Sequence, residues 1–360
     1  MKKIIHLFLL ACMFLGLAAC SQTESESQAA KPITLTDALG NQLTLESLPQ
    51  SIVVAGKQTP MIIDLIYLFP NAEAKIVGIE NRSQTTKSFL DVFSPSSSLK
   101  VNLEKGAGAE QIAALNPDLV ILKTTMAEEI GVGLETLGIP ILYVSMENIA
   151  EIETDITNIG MVLGDSERAA EVLDQYNGLQ SDIEAKIPAS EDAKPDVLLL
   201  QYSEDNGEIS FEVPPATWLQ TNLVEMAGGI PVWKEAAESG GWAKVNMEQI
   251  ADWNPGLIFV VNYSGNSDGT VSQLLENSTW QELDVVKNGK VYGFPGDFIS
   301  WDQPDSRWIL GFNWLAVKIN PETFQGVDFN AVVTNFYETF YSLDESTIQQ
   351  NILPLLFGSF

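Results

Sequence analysis

Short apolar runs punctuate this chain, and segments of helical periodicity separate them. Ile52-Val53-Val54, Ile76 to Ile79, Leu119 to Leu122 and Ile141 to Val144 are branched and continuous rather than alternating. That pattern predicts strands buried on both faces, in a parallel sheet covered by helices. The same pattern resumes at Val197 to Gln201, Leu257 to Val261 and Lys290 to Phe294. Asp205-Asn206-Gly207, lying between the first of these and Ile209-Ser210-Phe211, reads as a hairpin turn rather than a calcium loop. The region between the two sets is mostly helical. Asp165 is placed to cap a helix in which Val172, Leu173, Tyr176, Leu179, Ile183 and Ile187 recur at helical spacing until Pro188. Roughly 22 residues at 1.5 Å each would span about 33 Å, enough to connect two sheet-centred halves.

One stretch occurs twice, as EQIAALNPDLVIL (110–122) and EQIADWNPGLIFV (248–260). Each copy predicts two helical turns ended by Asn-Pro and followed by a strand. Asn246 is a suitable N-cap for the second copy, and Gly108 loosens the start of the first. Glu110 and Glu248 then fall in the first turn, where the helix dipole favours a carboxylate by about 0.3–1 kcal/mol. Taken singly, either is an ordinary helix-start residue; two at equivalent places point to a shared role.

The start of the chain bears on location. MKK precedes an apolar segment from Ile4 to Gly16, and Leu17-Ala18-Ala19-Cys20 ends it. The segment is short for a membrane span and right for a signal peptide, and the small residues before Cys20 resemble a bacterial lipobox, at which the thiol is diacylated. The expectation is a signal peptide over 1–19 and a lipidated Cys20 on a polar tether over 20–31. The mature chain would then be outside the cytoplasm and anchored to a membrane. Beyond Cys20 there is no Cys, and the single His is His6. This excludes His-based triads, Cys nucleophiles and the usual zinc sites from the mature part, and it argues against a bare metal ion as ligand. Removing Lys2 and Lys3 from the 19 Lys and Arg leaves 17 against 48 acidic residues, a net charge of −31. Nucleic acid is a poor partner for such a surface. Gly106-Ala107-Gly108 lacks the third glycine of a dinucleotide loop, since Gln111 stands there, and no phosphate loop or serine elbow is present.

In order and spacing, several of these stretches resemble the substrate-binding proteins of ABC importers for iron complexes and vitamin B12. They are VGIENRS (77–83), the first EQIA block, the helices around 150–187, MAGG (226–229), the second EQIA block and GDFISWDQPDSRWILGFNWLA (296–316). The resemblance implies an α/β fold of two lobes, over 32–148 and 191–360, each with a parallel-type sheet flanked by helices. Linking helices over 149–190 would include a rigid inter-lobe helix, and the ligand would lie in the cleft. It also implies a permease and ATPase complex as partner, with Glu110 and Glu248 docking onto permease arginines. No cofactor and no catalysis are expected. A receptor of the same fold that reports its ligand to a signalling partner is one alternative. A carboxylate-based extracytoplasmic hydrolase is another, although no acid pair stands at a recognisable catalytic spacing.

Loops leaving strand C-termini should line the cleft. In the first lobe these loops carry Lys57, Gln58 and Thr59, then Asn81, Arg82 and Ser83, then Thr124 and Thr125; in the second they carry Tyr202, Asn262, Tyr263, Phe298, Trp301 and Arg307. Of only three arginines, Arg168 is expected on the outside of the long helix. Arg82 is expected either to pair with Glu80 or to meet an anionic chelate. Arg307 is expected either to meet the chelate or to pair with Asp302 or Asp305. All eight Trp lie at 218 or later. Trp308 and Trp314 read as core, whereas Trp301, in a loop, is a candidate to stack on a flat ligand, with Trp218 second. Between ferric siderophore, cobalamin and haem the residues do not choose.

Overall fold

A computed structural model describes residues 32–82, 88–93, 100–190, 194–237 and 240–360. Cys20, the tether and Ser83 lie outside them. Among the described residues no helix is long and apolar enough to cross a membrane.

The chain begins with an antiparallel pair, β1 (Ile33–Thr36) and β2 (Gln42–Leu45). The first sheet is wholly parallel, in the order β5 (Val101–Leu103), β4 (Ile76–Glu80), β3 (Ile52–Val54), β6 (Leu119–Lys123) and β7 (Ile141–Val144). Helices α1 (Thr59–Ile66), α2 (Phe89–Phe93), α3 (Ala109–Ala113) and α4 (Val132–Thr136) connect its strands. Alternate residues of these strands enter different cores, as the strand period requires. Ile52, Val54, Leu119, Ile121, Leu142 and Val144 face a core continuous with the rest of the molecule. Val53, Val120, Leu122 and Tyr143 face a smaller one closed by Ile112, Ile130 and Leu134. Covering both faces is why these runs are apolar throughout.

The second sheet is mixed, not parallel throughout. Its order is β11 (Ala243–Val245), β9 (Glu208–Val213), β8 (Asp196–Asp205), β12 (Leu257–Val261) and β13 (Val291–Gly293), with β10 (Ile230–Pro231) also beside β8. Strands β8, β12 and β13 are parallel, whereas β9 folds back antiparallel on β8. The turn is Asn206-Gly207, both at positive φ, 52° and 84°, the geometry a two-residue hairpin requires. Around this sheet lie α7 (Leu219–Met226), α8 (Met247–Trp253), α9 (Ser267–Glu276), α10 (Asp284–Lys287), α11 (Trp308–Ile319), α12 (Phe329–Tyr341) and α13 (Glu345–Asn351).

Two helices join the lobes. The first, α5 (Ile149–Leu163), is capped by Asn148 and ends at Gly164 with φ 78°. The second, α6 (Ser166–Glu184), is capped as expected by Asp165, whose carboxylate accepts from Arg168 N at 3.2 Å. Arg168 is not the outward-facing residue expected from its position. Its Nε donates to Leu68 O at 3.0 Å and its Nη2 to Phe340 O at 2.9 Å, so α6 is tied at one point to both lobes.

Candidate functional site

The duplicated stretch resolves residue by residue. Gln111 Oε1 accepts from Gly108 N at 3.0 Å, and Gln249 Oε1 accepts from Asn246 N at 3.1 Å. The Gln of the repeat therefore reaches back over its own helix start. Ile112 and Ile250 are fully buried. Asn116 and Asn254 adopt the left-handed conformation, with φ of 50° and 41°, which Asn tolerates better than most residues. Only the leading residue is left without a folding task. Glu110 and Glu248 are exposed, and neither carboxylate has a hydrogen-bond or ion-pair partner among the described residues. Beside Glu110, the exposed Val132 and Leu137 line a hollow of about 610 Å³.

In the first lobe the strand ends are knotted around Glu80. Its buried carboxylate accepts from Gly56 N at 2.6 Å, Gly106 N at 2.8 Å and Arg82 Nε at 2.6 Å, joining the loops after β3, β4 and β5. Gly56 has φ +82°, and a Cβ there would come within 2.7 Å of Met126 Cγ, so the close approach needs glycine. Arg82 thus makes the pairing with Glu80 expected of it, through Nε, and also lines the cavity between these loops. Thr59, Asn81 and Arg82 meet around a cavity of about 80 Å³ bounded by Phe89 and Leu90. Lys57 is exposed, and Gln58 is left-handed at φ 59° and precedes α1; neither lines that cavity. Thr124 begins a short turn at the end of β6.

Sequence reasoning overlooked Lys123. It ends β6 fully buried, and its Nζ donates to Ser145 O and, at 2.8 Å, to Glu147 Oε1. Asp155 of α5 holds the same loop from behind, its Oδ2 accepting from Ser145 N and Met146 N, both at 2.9 Å. Burial pushes the Asp155 carboxyl up to about 7, against the opposing effect of those two N–H groups. The folded protein therefore keeps a proton that the unfolded chain releases near pH 4, and stability is lost as pH rises through about 4 to 7. Asp155→Asn retains an acceptor and cannot ionise. Melting temperatures across that window should show the wild type losing ground to the variant as pH rises; parallel profiles would refute the assignment.

In the second lobe, β8 continues through Asp205, so Tyr202 lies within the strand rather than after it. Its hydroxyl donates to Glu204 at 2.9 Å and its ring meets Phe211. Tyr263 follows β12 and donates to Asp302 Oδ2 at 2.5 Å. Asp302 also accepts from Ser300 Oγ and Gln220 Nε2. The Tyr263 ring is 6.1 Å from Trp242, which is 5.8 Å from Trp218, both edge-on and all three partly exposed. Leu219 N, next to Trp218, donates to Glu147 O at 2.7 Å. The residue after Trp218 is therefore bonded to Glu147, the partner of Lys123 at the strand ends of the first lobe.

Trp301 and Arg307 are elsewhere than a ligand contact requires. Trp301 is fully buried, with its ring against Phe360 and its carbonyl so close to Gly311 that a Cβ there would lie 2.4 Å away. It has no open face on which to stack a ligand. Arg307 is also fully buried, and of its expected alternatives the pairing with Asp305 is the one found, at 2.5 Å. Its Nη1 also donates to Asp64 Oδ2 of α1 at 2.6 Å, and its Nε lies 3.0 Å from Asp297 Oδ1. Tyr337 bridges Arg307 and Asp297, and Tyr341 donates to Asp64 O at 2.8 Å. Phe89 and Phe298 flank the guanidinium, 5.1 and 5.6 Å from its carbon, in cation–π range. Burial pushes the Asp64 and Asp305 carboxyls up, with the guanidinium opposing. Phe298 is buried in this seam between the lobes, and Asn262, beside Tyr263, donates to Thr270 Oγ1. Among the described residues no group of His, Cys, Asp or Glu is placed to hold a metal ion.

Known proteins match this arrangement along most of its length. Molybdate-binding protein MolA of Haemophilus influenzae is 23% identical over 358 residues, 92% of this chain and 95% of that protein. Fe(3+)-citrate-binding protein YfmC of Bacillus subtilis is 24% identical over 296 residues, 80% of this chain and 87% of that protein. A periplasmic solute binding protein from Veillonella parvula shares the fold with a TM-score of 0.69 and 25% identity, over 89% of this chain and 96% of that one. The family described as periplasmic binding protein matches residues 53–298, from the first parallel strand to the seam, and the chain belongs to that family.

Proposed function

We propose that this chain is the lipid-anchored, extracytoplasmic binding component of an ABC importer. It captures a chelated metal or a corrinoid between its lobes and hands it to a permease and ATPase complex, without catalysing a reaction. Family membership and a relative that binds Fe(3+)-citrate support the ligand class. The observation that carries the delivery role is the pair Glu110 and Glu248, which the fold leaves exposed at equivalent helix starts in the two lobes. Exposed Val132 and Leu137 beside Glu110 add apolar contact area of the kind that partner surfaces use. Charge pairs at such points guide association and orientation more than they add affinity.

A thermal-shift screen of the purified mature protein with ferric siderophores, cobalamin, cobinamide and haem tests the ligand class. A ligand at about one hundred times its Kd should stabilise the fold by about 2.7 kcal/mol. Absence of a shift with every one of them would show the ligand class to be wrong.

A further inference from the structure

Helices α6, α11 and α12 enclose a cavity of about 290 Å³ whose lining includes no strand end and no member of the Arg307 cluster. Leu179 and Ile183 of α6, Ile309 and Leu310 of α11, and Val332 and Phe336 of α12 give it apolar walls. Among the described residues no charged side chain lines it. Ala331 and Asn335, both exposed, stand at its mouth. Asn313 interrupts an otherwise apolar run from Trp308 to Val317, and its Oδ1, buried in the cavity wall, has no hydrogen-bond partner among the described residues. An amide oxygen withdrawn from water without a donor is costly, and an aliphatic residue at that position would avoid the cost. The side chain is therefore suited to a donor that comes from outside the chain.

We propose that this cavity is a small-molecule site outside the cleft, and that its ligand is an uncharged amphiphile with an aliphatic body and one hydroxyl or amide head. The body lies against the walls, and the head donates to Asn313 Oδ1. A charged head is disfavoured because nothing in the lining can pair with it. Since an apolar cavity of roughly 150 Å³ already admits benzene, this one has room for a chain of about six to eight carbons. Phe336, in the wall, has its ring 5.2, 5.0 and 5.9 Å from those of Tyr337, Phe340 and Tyr341. The two tyrosines belong to the seam, so a bound ligand braces the helix that carries them. The site does not depend on the importer reading.

Calorimetric titration of the mature protein with 1-hexanol, hexanamide, hexanoate and hexylammonium tests this. The two uncharged probes should bind at least about tenfold more tightly than either charged one, and they should raise the melting temperature. Asn313→Leu removes the unpaired oxygen, so it should fold with an unchanged or higher melting temperature and weaken both uncharged probes by about tenfold. Ala331→Trp, at an exposed position of α12, should close the mouth and abolish binding. Failure of every probe to bind would leave solvent as the partner of Asn313 and overturn the site. Hexanoate or hexylammonium binding as tightly as hexanol would overturn the uncharged head. Unchanged affinity in a folded Asn313→Leu would overturn the hydrogen bond, and unchanged affinity in Ala331→Trp would put the binding elsewhere and overturn the assignment.

Discussion

Arg307→Ala should lower the unfolding free energy by about 3–5 kcal/mol, the usual cost of removing one partner from a buried ion pair. The residue is fully buried and serves carboxylates from both lobes: Asp64 from the first, Asp297 and Asp305 from the second. Deleting the guanidinium leaves those acids facing one another in a buried site, where like charges are poorly screened. It also strips Phe89 and Phe298 of the cation they flank. Arg307→Lys should recover only part of the loss, because an ammonium cannot present the planar fork that reaches Asp64, Asp305 and Tyr337 together. Denaturant midpoints at fixed pH give the comparison. A change below about 1 kcal/mol for the alanine variant would place it with ordinary surface substitutions and dismiss the seam as a source of stability.

The second large effect concerns delivery rather than folding. Reversing both Glu110 and Glu248 to Lys should reduce ligand uptake in cells by at least about tenfold while leaving the ligand Kd unchanged. Both side chains are exposed and unpaired, so the variant should fold with a stability within about 0.5 kcal/mol of wild type. Each single reversal removes one of two proposed anchoring points and should give an intermediate defect that deepens with ionic strength. Uptake at the wild-type rate in the double variant, with normal amounts of protein at the membrane, would sink the docking role.

The frame of the fold was legible in the residues because its central strands are buried on both faces. Runs such as Leu119 to Leu122 and Leu257 to Val261 have no polar member that could mark a solvent side. Asn206-Gly207 and Asp165 were legible for a similar reason, since a positive-φ turn and an N-cap are requirements of a few residues that leave a local signature. The β1–β2 pair escaped notice because its strands are four residues each and alternate, burying only one face. The seam was harder still. Asp64 and Arg307 lie 243 positions apart, and nothing near either of them announces the other. Trp242 was overlooked because it follows Gly240-Gly241 outside any periodic segment, whereas Trp301 drew attention for its loop setting and turned out to be core. Loop membership says where the backbone runs but not which way a large side chain faces.

Arg168, Arg307 and α6 together have a consequence for how occupancy can be read. The lobes are stapled at the seam by Asp64–Arg307 and along the helix by bonds to Leu68 and Phe340. If both staples hold when ligand binds, the distance between the proposed docking points at the Glu110 and Glu248 helix starts would be a fixed gauge. A partner that touched only those two marks would feel the same spacing on an empty molecule as on a loaded one. On the importer proposal, information about cargo would then have to pass through the rim of the cleft, where the cargo itself would be part of the surface presented.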